Sequence, residues 1–205
     1  MFDIITFGSA AQDILVKPKS LTNLKYEKSA DQKEVCFAVG SKIDIGELDF
    51  YSGGGGTNVA ATFALQGFKT AFCGVVGKDA SGQEILNELK KLSVNTGLIR
   101  QTTEKMTNHS IVISGGSSDR TILAYREAAE LMPKDKIRWG KLDATWLYLA
   151  PLTGVLCESF EALVDFAVEK KIKLAVNPGM AQLSLLNFSE IAKKIDVLIL
   201  NLEEA

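Results

Sequence analysis

The chain has 205 residues, of which 46% are hydrophobic and 23% are charged, a balance that is typical of globular proteins with a sizeable core. Its net charge is −2, with 23 basic and 25 acidic residues and no basic run, so we expect neither nucleic acid nor a membrane surface as a partner. No apolar run is long enough for a membrane helix, and we expect no signal peptide before the first strand.

The cysteines and the histidine do not form a metal motif. Cys36, Cys73 and Cys157 lie far apart along the chain, and the single histidine is His109. A zinc site needs closer ligand spacing, which excludes this chemistry. We therefore expect reduced cysteines in the core of a cytoplasmic protein.

Short β-prone runs alternate with helical patterns along most of the chain. The predicted strands are 2–7, 71–76, 145–149, 172–176 and 197–200. Apolar residues at helical spacing predict helices after Asn58, after a capping pattern that begins at Ser81, from about Phe160 and after Ser189. This alternation predicts a parallel sheet with helices on its faces. The last run is continuously apolar, which predicts a strand covered on both faces.

Two stretches interrupt this alternation. Residues 15–51 contain β-prone pieces without a good helix, and residues 110–125 predict a hairpin whose turn segment is Ser114-Gly115-Gly116-Ser117-Ser118. We expect both stretches to project from the main sheet as a small lid.

A glycine segment, Gly53-Gly54-Gly55-Gly56-Thr57-Asn58, joins a β-prone run to an apolar helix. Glycines let the backbone approach a ligand, and we expect the helix N-terminus to offer free N–H groups there. The Asn58 amide both donates and accepts, so the segment is a candidate bed for a polyol or an anion. A flexible linker is the alternative, which the tight join between strand and helix disfavours. The P-loop motif does not occur. The dinucleotide fingerprint does not occur either, which disfavours a dinucleotide-dependent oxidoreductase.

Polar residues follow three predicted strands, where ligands of open α/β sheets bind. Asp13 comes shortly after the first strand, and its carboxylate can hold two sugar hydroxyls or cap a turn. Asn177 fits a turn better than a ligand contact. Asn201 and Glu204 lie three residues apart, so they form either a helix cap or the start of a magnesium site. His109 and Arg126 are expected to be ordinary surface or half-buried residues.

The order of these segments resembles the ribokinase (PfkB-type carbohydrate kinase) family across essentially the whole chain. The matching segments are Gly8-Ser9 with Asp13, the glycine segment, Val75 to Gly82, and Asn201-Leu202-Glu203-Glu204. The resemblance implies an α/β three-layer sandwich with a mainly parallel central sheet and a small β lid. It also implies transfer of the γ-phosphoryl group of ATP to a hydroxyl of a sugar, sugar phosphate or nucleoside. Lid strands often pair between subunits in this family, so a homodimer through them is compatible with the sequence.

The resemblance assigns roles to seven residues and implies ATP and Mg²⁺ as cofactors. Asp13 would bind substrate hydroxyls, Gly54, Gly55, Gly56 and Asn58 would bed the sugar, Asn201 would contact ATP phosphates, and Glu204 would organise Mg²⁺. Closure of the lid would exclude water, so that the phosphoryl group goes to the sugar.

The chain also departs from the family pattern. Ala11, Gly55 and the Ala150-Pro151 pair replace residues that ribokinases use at the sugar, and Tyr125 to Ala129 lacks the usual Gly-Ala-Asn, which puts ribose in doubt. The family's catalytic Asp lies in a Gly-Ala-Gly-Asp motif that is not in this sequence. We therefore expect residues 1–205 to form an incomplete ribokinase-like domain with no catalytic base and little or no activity alone. A truncated, non-catalytic sugar- or nucleoside-binding relative is the alternative.

Overall fold

The computed structural model of the chain describes residues 1–19, 25–29, 32–36, 38–114 and 120–202, with the backbone alone for 25–29 and 32–36. The strands in this described part are β1 (Phe2–Phe7), β2 (Ala11–Pro18), β3 (Lys25–Ser29), β4 (Gln32–Cys36), β5 (Ile45–Gly53), β6 (Thr70–Cys73), β7 (Val75–Gly77), β8 (Arg100–Thr102), β9 (Asn108–Ser114), β10 (Arg120–Tyr125), β11 (Ala144–Leu149), β12 (Lys173–Val176) and β13 (Val197–Leu198). The helices are α1 (Gly55–Leu65), α2 (Ala80–Lys91), α3 (Gly154–Glu158), α4 (Phe160–Lys170), α5 (Met180–Leu183) and α6 (Phe188–Ala192).

The chain divides into two compact units. The first contains residues 1–12, 52–108 and 126–205, and the second contains residues 13–51 and 109–125. The stretches predicted as lid strands, 15–51 and 110–125, fall inside the second unit. Their role as a lid stays a prediction.

The first unit is built on a five-stranded sheet with the order β13-β12-β11-β1-β6. Each neighbouring pair is parallel, which confirms the predicted parallel sheet. The chain moves from β1 to β6 on one side and later returns to β11 on the other, so the strand order reverses at β1. In open α/β sheets a ligand crevice forms at the carboxyl ends of the strands beside such a reversal.

Alternate side chains of the central strands face opposite sides of this sheet. Ile5 and Phe7 belong to a large core cluster together with the buried residues Phe160 and Leu163 of α4. The predicted apolar stripe of α4 is therefore confirmed. On the opposite face, Ile4 packs with residues of α1 in a smaller cluster.

The edge strand β13 differs from its prediction. Val197, Leu198 and Ile199 are 42%, 41% and 44% exposed, so the expectation that this strand is covered on both faces is wrong. The strand is at the edge of the described sheet, where it pairs with β12. An apolar groove of about 440 Å³ runs beside it, with Phe63 and Tyr148 among its lining residues.

The second unit contains a four-stranded sheet with the order β10-β9-β2-β5, and a β3–β4 pair. Strands β9 and β10 are antiparallel, with Thr121 opposite Ile113, which confirms the predicted hairpin. Of its predicted turn, Ser114-Gly115-Gly116-Ser117-Ser118, Ser114 is the last residue of β9 and the other four residues lie outside the described part of the chain.

Cys73 and Cys157 are free, as expected, whereas the side chain of Cys36 is not described. Burial raises the pKa of Cys73 to about 12, so its thiol stays protonated at neutral pH. In the described part of the chain, no helix combines the length and the apolar character needed to span a membrane.

Candidate functional site

The carboxyl ends of three neighbouring strands are tied into one rim. The backbone N–H of Ala150, after β11, donates to the carbonyl of Phe7 in β1 (2.9 Å), and the N–H of Asn177, after β12, donates to the carbonyl of Leu149 (2.9 Å). The Asn177 side chain donates to the carbonyl of Ile199 (3.0 Å). Asn177 therefore holds the chain segment that follows β13. This is a structural role, as its interpretation as a turn residue also indicated.

Gln182 secures the loops behind this rim. Its Oε1 accepts hydrogen bonds from the N–H groups of Leu152 and Gly179, at 2.9 Å each. The side chain is fully buried, and it connects the loop after β11 to the loop after β12. Sequence reasoning missed this residue because no local pattern distinguishes it.

The glycine segment packs closely against the end of β1. Gly54 is the N-cap of α1 and has φ +105, a conformation that L side chains rarely adopt. A Cβ on Gly54 would lie 2.5 Å from the carbonyl oxygen of Ser9, and one on Gly56 would lie 2.5 Å from the Phe72 ring. A side chain at Gly54 would therefore collide with the Ser9 backbone, and one at Gly56 would collide with the Phe72 ring.

The N–H groups at the start of α1 are occupied. Gly55 donates to the hydroxyl of Ser9 (3.1 Å), and Gly56 and Thr57 donate to the Ser9 carbonyl (3.0 and 3.4 Å). The expectation of free N–H groups for an anion is therefore wrong, because Ser9 caps this helix from the end of β1. Sequence reasoning missed the cap, because Ser9 and Gly55 lie 46 positions apart and meet only in the folded sheet.

Two threonines fix the same segment from within. The Thr6 hydroxyl, on the α1 side of the sheet, donates to the carbonyl of Gly56 (2.9 Å). The Thr57 hydroxyl reaches the carbonyls of Gly53 (2.6 Å) and Gly54 (3.0 Å). These bonds hold residues 53–57 against β1 within the first unit, which disfavours a flexible linker.

Only part of the predicted sugar bed is open to solvent. Asn58 is exposed, Gly54 and Gly55 are half-buried, and Gly56 is buried. A Cβ on Gly55 would lie 3.2 Å from the Cβ of Ala150, so the loop after β11 borders the segment. The arrangement can offer a hydroxyl the amide of Asn58 and an approach to glycine backbone.

The other predicted site residues lie outside the glycine segment. Asp13 is half-buried in β2 and is the first residue of the second unit. Asn201 is exposed after β13, whereas Glu204 lies outside the described residues. Within the described ranges, no group of three or more His, Cys, Asp or Glu side chains is placed to hold a metal ion. The proposed roles of Asn201 at the ATP phosphates and of Glu204 at Mg²⁺ therefore stay predictions.

The second glycine-containing segment, Gly77 to Gly82, opens α2. Asp79 is the N-cap, and its Oδ1 accepts from the N–H of Gly82 (2.8 Å). The predicted capping pattern at Ser81 is wrong, because the helix begins at Ala80. The Ser81 hydroxyl donates instead to Oε1 of Gln12 (2.6 Å).

Comparison with known proteins links this arrangement to one family. The family model described as pfkB family carbohydrate kinase matches residues 23–205. The ribokinase of Lactococcus lactis is 31% identical over 140 residues, which cover 63% of this chain and 43% of that protein. The bifunctional protein HldE of Methylobacillus flagellatus is 28% identical over 134 residues, 61% of this chain and 28% of that protein. The chain therefore matches less than half the length of these curated relatives.

Solved structures share the fold. A ribokinase from Giardia lamblia has a TM-score of 0.79 at 19% identity, covering 100% of this chain and 63% of that one. Ribokinase from Cryptococcus neoformans in complex with ADP has a TM-score of 0.73 at 20% identity, covering 100% and 58%. Arabidopsis thaliana ribokinase complexed with ribose and ATP has a TM-score of 0.73 at 21% identity, covering 99% and 61%. The predicted fold, with its mainly parallel sheet, is thus confirmed.

Proposed function

The chain belongs to the pfkB family of carbohydrate kinases, and from this premise we propose that it supplies the acceptor-binding part of an ATP-dependent kinase. The acceptor is a hydroxyl of a sugar or a related small molecule. The observation that carries the proposal is the glycine segment, which Ser9 fixes at the carboxyl end of β1 while Asn58 stays exposed. A preorganised bed of this kind orients an acceptor at little entropic cost.

Each proposed site residue contributes a group suited to a polyol. The Asn58 amide donates to one hydroxyl oxygen and accepts from another hydroxyl, and the half-buried glycines 54–55 present backbone without side chains. The Asp13 carboxylate accepts from two hydroxyls. The proposal is supported by the Arabidopsis thaliana relative, which was solved with ribose and ATP.

We assign Asn201 to the phosphates of ATP and Glu204 to Mg²⁺, as the resemblance implies. When bound, Mg²⁺ would neutralise charge on the transferred phosphoryl group. Gly-Ala-Gly-Asp does not occur in the chain, so a base and an anion hole must come from elsewhere. We therefore propose that this chain alone has little or no activity.

Phosphoryl-transfer assays test the proposal. ATP, Mg²⁺ and a panel of sugars, sugar phosphates and nucleosides are supplied to this chain and to the product of its complete reading frame. We expect turnover by the complete product and none above background by the chain. Turnover by the chain alone would contradict its proposed inactivity, and no turnover by the complete product would contradict the kinase proposal. In the active protein, Asp13→Ala should raise KM for the best acceptor, and an unchanged KM would remove Asp13 from the site.

We also propose a homodimer through the second unit. Leu48 and Phe50 on β5 are 50% and 57% exposed, and Ile122 on β10 is 48% exposed, so this sheet presents apolar side chains that a second copy would cover. Sedimentation velocity of the wild type and of Phe50→Lys tests this. We expect a dimer that the substitution dissociates, and a monomeric wild type at micromolar concentration would refute the dimer.

A further inference from the structure

The carboxylate of Asp79 does more than cap α2. Its Oδ1 accepts from the Gly82 N–H (2.8 Å) and from the Thr107 hydroxyl (2.7 Å), and its Oδ2 accepts from the Thr107 N–H (2.8 Å). The Thr107 hydroxyl in turn accepts from the N–H of Gly77 (2.9 Å). A helix cap needs one of these bonds, so two of the three serve a residue 28 positions away in the sequence.

Thr107 directly precedes β9, and the next residue connects to the chain that leaves β10. Asn108 is 4% exposed, and its Oδ1 accepts from the N–H groups of Glu127 (2.9 Å) and Ala129 (3.2 Å). The Ala128 N–H donates to the carbonyl of Met106 (3.1 Å). Both ends of the β9–β10 hairpin are thereby fastened to one another, and one end is fastened to the start of α2.

The glycines of the Gly77 to Gly82 segment make room for this network. A Cβ on Gly77 would collide with Asp79 Oδ2 and with the Thr107 N–H, and a Cβ on Gly82 would collide with the Gly77 carbonyl. The segment therefore forms a socket that receives Thr107. All of its hydrogen-bonding partners named above belong to the first unit.

We propose that Asp79 is a positioning residue that anchors both ends of the β9–β10 hairpin through Thr107 and Asn108. Both carboxylate oxygens are required, because an amide at this position would turn an N–H group toward the N–H of Thr107 or of Gly82. The anchor itself is independent of the proposed kinase function. Its effect on catalysis rests on that function, because the hairpin is part of the predicted lid.

Hydrogen exchange measured by mass spectrometry tests the anchor in the chain without requiring activity. In Asp79→Asn we expect the amides of residues 107 and 127–129 to exchange about tenfold faster or more, since a hydrogen bond to a charged group carries a factor of that order. Amides of β1 and β11 should keep their wild-type rates. Asp135→Asn, which alters an exposed acid paired with Lys136, is the matched control and should change none of them.

Two substitutions of Thr107 distinguish loss of the anchor from general destabilisation. Thr107→Ser keeps the hydroxyl and should exchange like the wild type, whereas Thr107→Val should exchange like Asp79→Asn. Equal acceleration in β1 and at residues 127–129, or wild-type exchange in Asp79→Asn and Thr107→Val, would overturn the anchor.

The catalytic consequence is measured in the complete kinase. We expect Asp79→Asn to raise KM for the acceptor about fivefold with KM for ATP unchanged, because the hairpin is predicted to cover the acceptor. Unchanged KM values beside accelerated exchange would overturn the positioning role. Absence of turnover in the wild type would instead count against the proposed function, and the exchange experiment would still decide the anchor.

Discussion

Helices α1 and α2 both begin directly after a strand through a glycine-containing segment, yet their first turns are satisfied differently. In α2 the N-cap Asp79 uses its own carboxylate, which also holds Thr107. In α1 the N-cap is Gly54, and the cap comes from Ser9 at the end of another strand. The cap from Ser9 fixes the start of α1 near the carboxyl end of β1. Asn58, in the first turn of this helix, is exposed. Similar glycine-containing segments thus form a socket for Thr107 at α2 and a candidate ligand bed at α1.

The largest expected effect concerns the close approach at α1. Gly54→Ala should lower the free energy of unfolding by about 3 kcal/mol or more, because it combines a strained φ with a collision against backbone. Urea denaturation measures this loss. Gly67→Ala is the matched control, since Gly67 also has positive φ (+89) but a Cβ there would meet nothing within 4 Å, and about 1 kcal/mol is expected. Equal losses in the two variants would show that the approach to Ser9 is not tight.

The socket at α2 should rank second. Asp79→Ala removes three hydrogen bonds to a carboxylate and should lower the free energy of unfolding by about 2–3 kcal/mol. The same urea titration applied to Asp135→Ala should show almost no change, because that acid is exposed. A loss in Asp79→Ala as small as in this control would mean that the socket adds nothing to stability.

Ser9→Ala should have a smaller effect. The variant loses the bond from the Gly55 N–H but keeps the Ser9 carbonyl, so about 1 kcal/mol is expected. Thermal unfolding compares the stability of this variant with that of Thr62→Ala, which alters an exposed hydroxyl in α1, the helix that Ser9 caps. If Ser9→Ala were no less stable than Thr62→Ala, the hydrogen bond from the Gly55 N–H to the Ser9 hydroxyl would contribute nothing to stability.

The smallest stability effect is expected at the candidate ligand contact. Asn58→Ala should leave the free energy of unfolding within about 0.5 kcal/mol of the wild-type value, because the side chain is exposed. A larger loss of unfolding free energy in urea denaturation would indicate that Asn58 has a structural role. The start of α1 would then resemble the structural socket at α2 more closely than we propose.

Much of the fold follows from local patterns in the sequence. The bounds of β1 were predictable because a short β-prone run ends at Gly8, and the buried stripe of α4 was predictable because its apolar residues recur at helical spacing. The Ser9 cap and the Gln182 clamp were not, because each depends on residues that meet only in the folded sheet. The exposure of β13 also depends on what packs around the strand, which an apolar run does not encode.

The site was predictable to a similar degree. The glycine segment and Asn58 are visible as residues, but the occupation of the α1 N–H groups depends on a partner 46 positions away. The role of Asp79 was masked because Ser81 to Glu84 also fits a capping pattern, and the two alternatives differ only in the residue at which α2 begins.

Isothermal titration calorimetry of the folded chain against sugars, sugar phosphates and nucleosides tests the acceptor bed most directly. We predict saturable binding of at least one of these ligands, weakened about tenfold in Asn58→Ala, since losing hydrogen bonds to a ligand costs on that order. Thr62→Ala should bind like the wild type. No saturable binding by any ligand, or equal affinity in Asn58→Ala, would contradict the assignment of the glycine segment and Asn58 as the acceptor site.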